Sequence, residues 1–155
     1  MIYYTGDIHG NPREIVQFCD RHKLTEQDTL VLLGDVGANY FLNGRDAEMK
    51  QLLTQVKPTL LCIHGNHEVR PSTLPSYQTK EWNGGTIQRI RPHVIHLMRG
   101  QVFDLQGYSF FTMGGARSHD IADGILNPKA PDFEEQYWTL RRMGARFRVN
   151  HHSWW

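Results

Sequence analysis

Three short polar blocks, each directly behind an apolar run, constrain this chain more than any other feature. They are Gly6-Asp7-Ile8-His9-Gly10, Gly34-Asp35, and Gly65-Asn66-His67-Glu68. Ile2 to Thr5, ahead of the first, reads as a short strand. Thr29 to Leu33 and Thr59 to Ile63, ahead of the others, are continuous apolar runs of the kind found in strands buried on both faces. Asp35 follows Asp7 by 28 positions (35 − 7) and Asn66 follows Asp35 by 31 (66 − 35), each interval enough for one helical crossover. In the first interval Asn11 is expected as helix N-cap, Pro12 as first helical residue and Glu14 as the acid of a capping box. In the second, Met49, Leu52, Leu53 and Val56 repeat at helical spacing until Pro58 ends the helix. The resulting β-α-β-α-β order predicts an α/β fold with a parallel sheet.

Beyond Val69 the character changes. Pro71, Pro75, Pro92, Gly84 and Gly85 mark loops. Residues 94–98, 102–105 and 108–113 are expected as three short strands in an antiparallel meander, with turns at Gly100 and Gly107. Residues 120–132 are loop-like and 133–143 helical. The 155 residues suit one domain, 1–155, with enough length for a core. A net charge of +1 provides no global field toward nucleic acid or membrane. No apolar run is long enough to span a bilayer. Cys19 and Cys62 are too few for a disulfide framework, and both lie in apolar stretches. Together these features point to a cytoplasmic protein with reduced thiols.

Parallel sheets bind ligands along the edge where the carboxyl ends of their strands collect. Asp7, His9, Asp35, Asn66 and His67 are therefore expected to converge. Two carboxylates, an imidazole and a carboxamide suit Mn²⁺, Fe or Zn²⁺ better than a thiolate-loving ion. One carboxylate can bridge two such ions, and a bridging water that loses a proton becomes a nucleophile. Each block alone has a plainer explanation, as a turn or a solvated pair. Their order and their placement behind buried strands favour a metal site.

The same three blocks resemble the first three sequence blocks of the calcineurin-like metallophosphoesterases, closely over residues 1–70 and more loosely over 94–118. The resemblance implies an α/β/β/α sandwich with two divalent metal ions at the sheet edge. It implies that Asp7 and His9 bind the first metal, that Asp35 bridges both and that Asn66 binds the second. His67 would contact the phosphate and protonate the leaving oxygen, and Glu68 would support the site from behind.

Two departures stand out. Protein phosphatases of this superfamily typically continue the second block as Gly-Asp-x-Val-Asp-Arg-Gly. Here Ala38 replaces the acid that pairs with the catalytic histidine, and Asn39 replaces the arginine that grips phosphate. The later blocks, a lone histidine and then Gly-His-x-His, are also missing. The chain stops at His151-His152-Ser153-Trp154-Trp155, which suggests a sandwich incomplete on its C-terminal side. The alternative is a shortened relative that recruits His119 or the His151–His152 pair.

The function expected is metal-dependent hydrolysis of a phosphate ester, on a phosphoprotein, a nucleotide, a dinucleoside polyphosphate or a small phosphomonoester, with a bridging hydroxide as nucleophile. The competing expectation is an impaired fragment that binds metal or a partner. Arg141, Arg142, Arg146 and Arg148 form a basic run that gives only a weak argument for nucleic acid.

Overall fold

The computed structural model describes residues 1–115 and 119–150, without the side chain of Ile90. Its centre is a six-stranded sheet in the order β1-β2-β3-β6-β5-β4. The first three strands, β1 (Ile2–Thr5), β2 (Thr29–Leu33) and β3 (Thr59–Ile63), pair in parallel. They lie where the apolar runs predict. A fourth parallel strand, β6 (Val94–Leu97), joins β3 with Cys62 opposite His96. β4 (Gln78–Trp82) and β5 (Gly85–Arg91) complete the sheet in antiparallel fashion.

Period-two alternation divides the core into two layers. Leu30, Leu32, Leu60, Cys62 and Val94 point to one face. There they meet Ile15 and Cys19 of helix α1 (Arg13–Arg21) and Met49 and Leu53 of helix α2 (Gly44–Leu53). Val31, Leu61, Ile87, Ile95 and Leu97 point to the other face. They pack on Phe103 and Leu105 of β7 (Val102–Leu105), which forms a separate hairpin with β8 (Tyr108–Phe111). The architecture is thus α/β with a parallel-rich central sheet. Helices cover one face and a second β layer covers the other. Helix α3 (Phe133–Arg142) forms a satellite cluster with Leu126 of β9 (Ile125–Leu126) and Val149 of β10 (Arg148–Val149).

Several elements depart from the sequence reading. Helix α1 starts one residue late, with Pro12 at the N-cap and no side-chain cap. Asn11 Oδ1 instead accepts from Arg13 N at 3.3 Å, closing a local turn. Helix α2 ends at Leu53, before Val56. Its N-terminus is capped by Asn43, whose side chain accepts from Arg45 N at 3.0 Å. The stretch expected as loops holds the β4–β5 hairpin, turning through Asn83 (φ 45°) and Gly84 (φ 89°). The expected meander does not form. β6 is buried along all four residues and lies inside the main sheet, while β7 alternates and pairs with β8 alone.

Candidate metal centre

The carboxyl ends of β1, β2 and β3 lie side by side, with Thr5 beside Leu32 and Leu32 beside Cys62. The chain turns sharply at each end. Asp7 (φ 54°), His9 (φ 44°) and Asp35 (φ 45°) all adopt left-handed backbone, where Asp and His are enriched among non-glycine residues. Such conformations cost free energy and persist where the surroundings fix them. Here backbone bonds do so: His9 N donates to Asp35 O at 2.9 Å and Gly10 N to Val36 O at 3.2 Å. Glycine is required at two points of this contact. A Cβ on Gly37 would overlap the Gly10 backbone, and one on Gly65 would overlap both the backbone and the carboxylate of Asp35.

The result is a cluster. Asp7, His9 and Asp35 each offer a ligand atom, all within 4.8 Å of one another. Asp35 is buried, whereas Asp7 and His9 face solvent. Two carboxylate oxygens and an imidazole nitrogen at this spacing fit a divalent cation of intermediate hardness. Asn66 lines the same cleft as Asp7 and Asp35, a space of about 650 Å³. His67 N donates to Asp35 Oδ1 at 2.8 Å. The His67 ring meets that of His9 edge-on, with centroids 5.4 Å apart. The five residues singled out in the sequence therefore sit around one edge of the sheet. His119 does not join the cluster, and His151 and His152 lie outside the described residues.

The surroundings explain the neighbouring polar residues. Glu68 is buried and accepts from Gly65 N at 3.2 Å, tying the third block to itself. Burial, and then the charge of Asp35, push its pKa up to about 7, while backbone N–H groups partly counter them. His64 is also buried. Its Nε2 accepts from Arg70 Nε at 3.3 Å, so the imidazole is neutral and carries its proton on Nδ1. Burial, and then the adjacent Arg70, hold its pKa down to about 3.

Asn39 faces the core. It is fully buried and exchanges hydrogen bonds with Tyr77 Oη, at 3.0 Å as donor and 3.2 Å as acceptor. It therefore helps to hold the core together, away from the cleft. Ala38 is equally buried.

Two further residues join the site. Asp120 Oδ2 lies 3.4 Å from His67 Nε2 and 3.2 Å from Arg148 Nη2. A carboxylate thus reaches His67 from a distant loop rather than from position 38. Arg99 lines the cleft beside Asp35 and Asn66, and its Nε donates to Gly114 O at 2.8 Å. It arrives there because β6 runs parallel to β3, which brings the residues after Leu97 to the same sheet edge. Recognition of β6 as a fourth parallel strand would have pointed to it.

The family model for calcineurin-like phosphoesterases matches residues 1–154. No curated protein and no solved structure matches the chain. Over nearly its whole length, this chain belongs to the calcineurin-like phosphoesterase family.

Proposed function

We propose that the chain hydrolyses phosphate esters at a centre of two divalent metal ions, held by Asp7 and His9 on one side and Asn66 on the other, with Asp35 between them. The observation that carries this reading is the convergence of Asp7, His9 and Asp35 within 4.8 Å at the carboxyl edge of the sheet. Divalent ions bound there supply the positive charge that polarises phosphoryl oxygens and activates water as a nucleophile. The chain's own residues do the rest. The Asp35 carboxylate, fixed by the His67 N–H, orients the donor set. His67 delivers a proton to the leaving oxygen, and Asp120 holds the imidazole in place through Nε2. The loop glycines let the substrate's oxygens approach the backbone. Two buried free thiols, Cys19 and Cys62, fit a reducing, cytoplasmic compartment.

A second reading has one observation in its favour. Among the described residues no histidine beyond His9 joins the metal cluster, so the second ion would rest on Asp35 and Asn66. In that case the chain binds one ion and turns over little substrate.

Hydrolysis of a chromogenic aryl phosphate with added Mn²⁺ separates the two. Mn²⁺-dependent turnover that falls by about a hundred-fold or more in both His67→Ala and Asp35→Asn supports the first. A folded, Mn²⁺-binding chain without turnover supports the second.

A further inference from the structure

Two adjoining cavities lead away from the metal cluster. The first, of about 180 Å³, is bordered by His9 and Asp35 of the cluster and by Tyr40 and His67. The second, of about 100 Å³, shares Tyr40 and His67 with it as common wall but touches none of Asp7, His9 and Asp35. Its other side carries Tyr137, Arg141 and Phe147. Tyr40 stands at the junction of the two and is 42% exposed. Its loop is fixed from below. Buried Asp46 accepts from Phe41 N at 3.0 Å and from Leu42 N at 2.7 Å, and Val69 N donates to Asn39 O at 3.0 Å. The Phe41 ring meets Tyr40 edge-on with centroids 4.8 Å apart, and the Arg45 guanidinium lies 3.9 Å from the Phe41 centroid. An exposed ring on a fixed backbone loses little freedom when a second ring stacks on it. On the other wall Tyr137 meets Phe147 edge-on at 5.6 Å, and the Arg141 guanidinium sits 6.0 Å from the Tyr137 centroid. Two members of the basic run, Arg141 and Arg148, line this wall. Arg148 is tied to Asp120, and Arg141 is the exposed one of the pair. Aromatic faces and guanidinium planes are the groups on which proteins stack nucleobases.

We infer that the second cavity is a nucleobase subsite, with Tyr40 as its stacking platform and Arg141 as its cationic cover. The substrate class is then a nucleoside phosphate, with its phosphate at the metal cluster, its sugar in the first cavity and its base in the second. The first cavity calls for that spacer: a ring joined directly to the ester oxygen would stay beside the metals. The inference rests on the metal-centre reading for the position of the phosphate, and on the aromatic walls alone for the base.

The test compares adenosine 5′-monophosphate with ribose 5-phosphate under Mn²⁺. Both esters release a primary alkoxide, so the base is what differs. The expected kcat/KM favours the nucleotide by about ten-fold, and Tyr40→Ala reduces that preference to about two-fold. Tyr40→Phe keeps the preference, because a stacking role needs only the ring, and Arg141→Gln reduces it to about three-fold. Tyr40 is exposed, so both of its variants keep the fold. With turnover of both compounds, an absent preference, or one that Tyr40→Ala leaves unchanged, overturns the inference. A second arm needs no turnover. Saturation-transfer NMR titration of the chain with adenosine should give binding that weakens about ten-fold in Tyr40→Ala and stays the same in Tyr40→Phe. No binding, or binding insensitive to Tyr40, overturns the subsite. Tyr40-dependent adenosine binding without turnover of either ester retains the subsite and rejects the hydrolytic reading.

Discussion

At the scale of single residues, the centre depends on close backbone contact. Gly65 lies so near Asp35 that a methyl group has no place without displacing the carboxylate. Gly65→Ala is therefore expected to cost about 1–3 kcal/mol of stability from overpacking. It should also weaken Mn²⁺ binding, both readable by thermal denaturation with and without the metal. Asp7, His9 and Asp35 were legible in the sequence because glycines flank them and each follows a buried strand. Arg99 was not. It reaches the site through chain topology, and nothing in its immediate sequence marks it as functional. Asp120 follows Gly114-Gly115 in a segment, Ser118-His119-Asp120, whose composition suits the lining of a cleft.

His96 gives a residue-scale prediction about pH. It is buried at the centre of β6, with Nε2 3.4 Å from Tyr77 Oη. Burial, and then the charge of Lys50, lower its pKa from 6.5 to about 3. The folded chain therefore binds fewer protons there than the unfolded chain between those values. Stability is fully present above about pH 6.5 and is lost as pH falls toward about 3. Between pH 6.5 and about pH 5 this group alone removes about 2 kcal/mol. His96→Gln should flatten the acid limb of a melting-temperature profile. An unchanged limb would assign the acid loss to other groups.

At the scale of elements, the three parallel strands and the two crossover helices follow from hydrophobic periodicity, and their limits shift by a few residues at most. The second half was harder to read for two physical reasons. Asn83-Gly84 is the dipeptide that a tight hairpin favours, yet the neighbouring prolines and the exposed β4 made the segment look like loop. In β6, His96 interrupts an apolar run and hides its burial on both sides. The hairpin β7–β8 is fastened to the main sheet largely by Phe103, which is fully buried and packs near Trp82 at 6.3 Å between centroids. Phe103→Ala is expected to cost about 3–5 kcal/mol, measured by denaturant titration. A loss below about 1 kcal/mol would mean that the second β layer contributes little to folding.

At the scale of the whole molecule, topology converts four strand ends into one working edge. β1, β2 and β3 bring the three motif blocks, and β6 adds Arg99. The sheet thus carries the metal donors and Arg99 at one edge, while α1 and α2 cover one of its faces. Among the described residues no helix is long and apolar enough to cross a membrane. The proposed function requires Asp35 to join two cations at this edge. Electron paramagnetic resonance of the Mn²⁺-loaded chain tests it directly. A spin-coupled pair signal is expected, which Asp35→Asn converts to that of isolated Mn²⁺. An uncoupled signal in the wild-type chain, or one indifferent to Asp35, would contradict it.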